Sequence, residues 1–312
     1  MSIEVNLGTI KGTPYYYEKL FQIGEYQYSK LIIDILQKGT NESTRNGNTR
    51  SIFGNMMRFS LKDGEIPILT TKQVAWKTCF EELMWFIRGS TNNKELQNRG
   101  VHIWDANSSR EFLDSRELYH YPEGQLGPIY GFQWRHFNAQ YKGIDADYSG
   151  QGIDQLQDII NQLKDPNQRS SRRLIMTAWN PCALDEMALP PCHILCQFNV
   201  REGKYLSCAL TQRSGDVGLG VPFNIASYSF LTHILAKHCD LEADEFIYFL
   251  GNAHIYEEHL GVLMEQIKRE PKPFPKLNIL NKHSCIEDYC LDDIQWKVPY
   301  SYHPKLSMEM KP

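Results

Sequence analysis

A mixed α/β (α+β) fold in a single domain is predicted by three features of the 312-residue sequence. Segments with apolar residues at helical spacing recur along the chain, strand-like apolar runs lie between them, and no tract rich in Pro, Gly and Ser interrupts the succession. The domain is expected over 1–312, with its core from about residue 20 and with residues 1–19 as an uncertain N-terminal segment.

The first helix is predicted over 16–38. A second follows over 153–164, where Ile153, Leu156, Ile159, Ile160 and Leu163 share a face and Pro166 lies just beyond the end. Strands are expected over 174–179, 193–200 and 204–212. The last two flank Arg201-Glu202-Gly203-Lys204, and a two-residue Glu202-Gly203 turn would join them as a hairpin. In that register Cys192 stands opposite Arg213, on the same sheet face, and a guanidinium beside a thiol favours the thiolate. A bulge would shift the pairing by one residue and remove that contact. Helices over 225–238 and 257–270 complete the pattern, the latter ended by Pro271.

Composition narrows the function. There are 33 Lys+Arg against 37 Asp+Glu, a net charge of −4, so the chain lacks the broad positive field of a dedicated nucleic-acid binder. No apolar run approaches the roughly 20 residues of a membrane helix, and the N-terminus does not read as a signal peptide. Eight scattered cysteines suggest a reducing compartment, the cytoplasm foremost and the nucleus also open. No metal is expected: Cys192, His193 and Cys196 have no second ligand pair, and His254 and His259 lack the Glu of a zinc-protease helix.

Pro190-Pro191 directly before Cys192 marks a strand entrance at a sheet rim, where a side chain reaches a cleft. On the facing strand, Arg213-Ser214-Gly215-Asp216 followed by Val217-Gly218-Leu219-Gly220 can gather a guanidinium, a hydroxyl and backbone N–H groups around a phosphate. Alone, this segment equally suits an ordinary polar loop.

These two segments, with Pro222-Phe223-Asn224 and Tyr228 after them, resemble the thymidylate synthase family. Further blocks carry the likeness: Glu81-Glu82 to Asn92, Ile103-Trp104-Asp105-Ala106-Asn107, Gly127 to Arg135 through Tyr130, Arg172-Arg173, and His254-Ile255-Tyr256. The resemblance implies a large mixed twisted sheet with surrounding helices, packed back to back on a second sheet across a homodimer. It also implies methylation of dUMP at C5 to dTMP, with 5,10-methylenetetrahydrofolate as co-substrate supplying carbon and hydride and leaving as dihydrofolate.

Each role is carried over on matching residues. Cys192 would add to uracil C6; Arg213 would support the thiolate and hold phosphate; Glu82 would manage the proton at O4 through water; Tyr130 would relay the C5 proton. Asn224 would read uracil, accepting from N3–H and donating to O4. Arg45, Arg213, Ser214 and Gln212 belong to the nucleotide side, with Asp216 between nucleotide and folate, and His254 and Tyr256 would hold the ribose hydroxyl. Arg172 and Arg173 would reach the phosphate in the neighbouring subunit, making the dimer obligatory. Ile103, Trp104, Asn107, Asp216, Leu219, Gly220 and Phe223 would line the folate pocket. Asn252 stands where the family usually has Asp, and the chain ends Met310-Lys311-Pro312 where the family has a small aliphatic residue whose carboxylate helps close the cleft.

Three other functions compete with this one. A deoxycytidylate hydroxymethylase shares the fold, but a cytosine reader wants Asp at position 224, so Asn224→Asp is expected to move preference toward dCMP. An RNA-binding regulator built on a dead synthase is disfavoured by acidic charge, and secondary RNA binding is not predicted. A purely structural dimer would leave the whole constellation idle.

Overall fold

A computed structural model describes residues 24–44 and 46–311. Part of the predicted first helix, Arg45 and Pro312 therefore lie outside the described residues. The helices are α1 (Tyr26–Lys38), α2 (Trp76–Ile87), α3 (Asn93–Gln97), α4 (Arg110–Ser115), α5 (Tyr130–His136), α6 (Gln155–Lys164), α7 (Gly220–His238) and α8 (Leu260–Gln266). The strands are β1 (Thr40–Thr44), β2 (Gly47–Ser60), β3 (Ile175–Thr177), β4 (His193–Arg201), β5 (Tyr205–Asp216), β6 (Glu242–Tyr256), β7 (Lys276–Ile279) and β8 (Ile294–Val298). The first six make one sheet in the order β1-β2-β6-β5-β4-β3, and β7 pairs with β8. All neighbours are antiparallel except β5 and β6, whose parallel pairing needs the crossover that α7 supplies.

Local chemistry explains the main elements. In α1, Tyr28, Leu31, Ile32, Ile35 and Leu36 fall on one buried stripe, and Gly39 follows the last residue. Helix α7 is apolar nearly all round because it runs through the interior between the sheet and α2. Phe59, Phe246 and Tyr248 of the sheet are fully buried in the core together with Phe80 and Phe230. Four large apolar residues of the sheet are exposed, Phe53, Met56, Ile175 and Phe249, with Phe53 at 87%. No helix among the described residues is long and apolar enough to cross a membrane.

Several expected boundaries move. Helix α6 begins at Gln155 behind an Asp154 cap, and Ile153 lies before it, exposed and bridged to Phe137, so it does not share the apolar face. Helix α7 starts five residues earlier than 225, since Pro222 suits a first turn. The 257–270 helix is a 3₁₀ turn, Glu257–His259, followed by the short α8, which stops at Gln266. Strand β3 is shorter than 174–179, whereas β5 runs on to Asp216.

The β4–β5 hairpin corrects the predicted turn and still delivers its consequence. Arg201 pairs with Tyr205, so the loop holds three residues, with Glu202 (φ 55°) and Gly203 (φ 66°) in the left-handed region. This offset alone would put Cys192 opposite Ser214. The ladder slips again between His193 and Leu195, so His193 pairs with Gln212 and the Arg213 N–H donates to the Cys192 carbonyl at 2.8 Å.

Candidate active site

Cys192 is half-buried at the sheet rim, one residue before β4. Its N–H donates to the Tyr130 hydroxyl at 2.8 Å, which fixes the start of α5 against the strand entrance. Gly131 lets α5 close on α2 beside it: a Cβ there would meet the Phe86 carbonyl at 2.4 Å. The Tyr130 ring lies stacked on His193, centroids 4.1 Å apart, and edge-on to Trp104 at 5.9 Å. Trp104 in turn donates its indole N–H to the Glu82 carboxylate at 2.8 Å. Four elements distant in sequence thus bring Cys192, Tyr130, Trp104 and Glu82 to one place.

Arg213 arrives from the facing strand. Its Nε donates to the Pro191 carbonyl at 2.8 Å and an Nη to the Pro190 carbonyl at 3.0 Å, so the two residues that precede Cys192 tether the guanidinium. The charge lies over the Trp179 ring at 5.7 Å and remains exposed, with N–H donors left for an anion.

Burial governs the titration of this cluster. It raises the Glu82 carboxyl to about 7, against a smaller lowering by the Trp104 hydrogen bond. It also raises the Cys192 thiol above its ordinary range; Arg213 and the Tyr130 hydroxyl pull the other way and do not overcome it. The expected thiolate bias is therefore outweighed by desolvation. Tyr130 is held well above its ordinary value by burial and stays a neutral hydroxyl. His193 is pushed down to about 3 and is a neutral ring bonded to the Tyr228 hydroxyl at 2.8 Å.

A second group lies along the paired ends of β5 and β6. Ser214 faces Asn252 and Asp216 faces His254 in the ladder. Ser214, Asn252, His254 and Tyr256 line a cavity of about 260 Å³ together with Glu42 and Thr49. Nδ1 of His254 pairs with the Asn252 carboxamide oxygen at 3.0 Å, and burial lowers the imidazole. The neutral ring therefore donates from Nδ1 and keeps Nε2 as an acceptor. Asn252 supplies the bond an Asp would make, without its charge. Gln212 is buried inside the sheet, accepting from the Tyr248 hydroxyl at 2.6 Å and donating to the Ser214 carbonyl at 2.8 Å.

The third group forms a half-apolar wall. Asp216 accepts from the Gly218 N–H at 2.8 Å, and Leu219 and Gly220 lead into α7, which carries Phe223 and Asn224 half-exposed. The Phe223 carbonyl meets the Cys79 thiol of α2 at 3.2 Å, one turn from Glu82. Ile103 and Phe223 pack against the core while Asn107 is buried, with its Nδ2 lacking a hydrogen-bond partner among the described residues. Apolar surface with an unsatisfied amide and a nearby carboxylate suits a flat heterocycle with polar edges.

Arg172 and Arg173 stand apart from all three groups. They are exposed and, among the described residues, make no ion pair. Extending the β3–β4 register, Arg173 falls beside Asn199. That is seven residues, or ~23 Å, along β4 from Cys192.

The family profile described as Thymidylate synthase matches residues 26–312. The chain belongs to the thymidylate synthase family. It is 54% identical to the thymidylate synthase of Homo sapiens over 288 residues, covering 92% of this chain and 90% of that protein. A thymidylate synthase of Human herpesvirus 8 type P is 53% identical, with 92% and 84% covered. The bifunctional dihydrofolate reductase-thymidylate synthase of Zea mays is 52% identical over 92% of this chain and 54% of its own length.

Beyond the residues expected of a thymidylate synthase family site, the structure adds three. His193 supports the Tyr130 ring from below, Trp179 faces Arg213, and Lys72 is buried with its ammonium on the Gly218 carbonyl. Burial lowers Lys72 to about 8, while Asp216 and Glu25 oppose that fall. His193 was legible in principle, because alternate strand residues face opposite sides and it follows Cys192. Lys72 gave no local signal.

Proposed function

We propose that this chain is a thymidylate synthase, a methyltransferase that converts dUMP to dTMP as a single-domain subunit of a homodimer. The observation that carries the reading is the convergence of Cys192, Tyr130, Glu82 and tethered Arg213 at one sheet rim. Uracil C5 is a poor carbon nucleophile, so Cys192 sulfur bonds to C6 first, the C5–C6 π pair shifts into an enolate ending at O4, and the S–C6 bond breaks again to release the methylated product. Because burial favours the thiol, proton loss accompanies this addition. Glu82, poised near neutrality, exchanges the proton at O4 through water. Tyr130 is too buried to ionise, so it orients a water that takes the C5 proton. The co-substrate 5,10-methylenetetrahydrofolate supplies the carbon and hydride, held by Ile103, Trp104, Asn107, Asp216, Leu219, Gly220 and Phe223.

For dUMP itself, Arg213 and Ser214 take the phosphate with Arg45, His254 and Tyr256 the ribose hydroxyl, and Asn224 the base. Gln212 acts from beneath by holding the Ser214 carbonyl. Eight free cysteines are in keeping with a reducing compartment, the cytoplasm or the nucleus. The direct test incubates the protein and methylenetetrahydrofolate with dUMP or dCMP. Dihydrofolate and dTMP are expected with dUMP alone, and Asn224→Asp should raise the dCMP:dUMP ratio of kcat/KM by at least about 10². Hydroxymethyl-dCMP as the product of the native protein would overturn the assignment.

The dimer rests on two supports. The outward face of the sheet carries exposed Phe53, Met56, Ile175 and Phe249, apolar area that a second sheet would cover. Arg172 and Arg173 are too far along β4 to serve their own Cys192. Mixing Cys192→Ser with Arg173→Glu and allowing subunits to exchange should return about a quarter of native activity, since half the dimers are mixed and each has one intact site. No recovery after demonstrated exchange would exclude cross-subunit phosphate binding.

A further inference from the structure

The 3₁₀ turn Glu257–His259 receives the end of the chain at two successive side chains. His259 Nε2 donates to the Glu309 carbonyl at 2.8 Å, and the Glu258 carboxylate lies 2.7 Å from the Lys311 ammonium. Just before these contacts in the chain, Met308 lies against the Asp216–Gly220 loop: a Cβ at Gly218 would sit 3.0 Å from the Met308 sulfur and 3.0 Å from His259 Nδ1. Asp216 completes the stack, with its carboxylate 3.8 Å from His259 Nδ1. Upstream, the segment is anchored independently, as the His303 N–H donates to the Thr70 carbonyl at 2.7 Å and Arg269 donates to the Pro304 carbonyl at 2.7 Å. Beyond Pro304, Glu309 and Lys311 tie the segment back to the turn.

We propose that Glu258 and Lys311 form an electrostatic latch that holds the C-terminal segment over Gly218 and so sets how firmly the folate side of the cleft stays closed. The two are positioning residues, and the inference rests on the folate-binding reading of the Asp216–Gly220 loop. Lys311 suits the task because its side chain is only 18% exposed, whereas Glu258 is 62% exposed. Its ammonium finds its charge partner on the turn, with Glu309 at 3.4 Å as a weaker second. An ion pair of this exposure supports an effect of up to about fivefold.

The test compares the full chain with Glu258→Lys, Lys311→Glu and the double exchange. Each single variant should raise KM for methylenetetrahydrofolate about three- to fivefold, leave the dUMP dissociation constant unchanged, and speed hydrogen exchange at the amides of 307–311. The exchanged pair should return KM and exchange to within about twofold of native, because the attraction is restored with its sign reversed. Native values in both single variants, or losses that the double variant does not recover, would overturn the latch. Hydrogen exchange reads the latch even without turnover. A native protein that forms no dihydrofolate while its single variants exchange faster would therefore remove the folate reading and leave the latch standing.

Discussion

Cys192→Ser is expected to slow turnover by at least about 10⁴-fold while dUMP still binds. The framework around residue 192 does not depend on its sulfur. Tyr130 is held by the backbone N–H of Cys192, and Arg213 by the carbonyls of Pro190 and Pro191. A serine leaves all three contacts available, so the phosphate and base sites should survive. What disappears is the soft, ionisable nucleophile, for a serine hydroxyl stays protonated in a pocket that already disfavours charge. Dihydrofolate absorbance measures the first quantity and calorimetric dUMP binding the second. A loss of less than tenfold would remove Cys192 from the role of nucleophile.

Glu82→Gln should make the protein more stable and far less active. Burial holds the folded carboxyl near 7 against an ordinary value of 4.5. The folded state therefore keeps a proton that the unfolded chain has lost, and stability falls as pH rises between those values. Near pH 8 the charged carboxylate costs up to about 3 kcal/mol, which glutamine avoids while its carbonyl still accepts from the Trp104 indole. The variant should melt above native near pH 8, with the gap closing near pH 4.5, and its kcat should drop about 10²- to 10⁴-fold. Equal melting temperatures at both pH values would mean that the carboxyl is not held protonated. A gain in stability coupled to a loss of turnover is the mark of a group kept for chemistry at the expense of the fold.

How much of this was legible depended on the range of the interaction. Helices α1 and α6 announced themselves through apolar spacing, and α7 through a largely apolar run, each a local property of its own residues. Strand β6 did not: its polar start at Glu242-Ala243-Asp244-Glu245 and its central Gly251-Asn252 break alternation, and it is a strand because β2 and β5 pair with it on both sides. Helix α2 was visible only as a block with family resemblance, and most of its residues, from Cys79 to Ile87, are buried. In the site, Cys192, Arg213 and Asp216 stood out by residue type. Their electrostatic balance did not, because desolvation of Cys192 depends on what packs around it and outweighed the one charge that sequence pairing identified. Lys72 is the clearest case of hidden placement. Its contact with Gly218 joins positions 146 residues apart, and no spacing rule spans that distance.

The irregularity at Ile194 acts as a phase corrector. A three-residue loop at the hairpin tip introduces an error of one position, and the bulge cancels it just before the rim. The distal loop and the reactive end are thereby insulated from each other. The slip sits close to the rim, so the buried alternation along most of β4 and β5 is kept and only the last pairs before Cys192 and Arg213 are rephased.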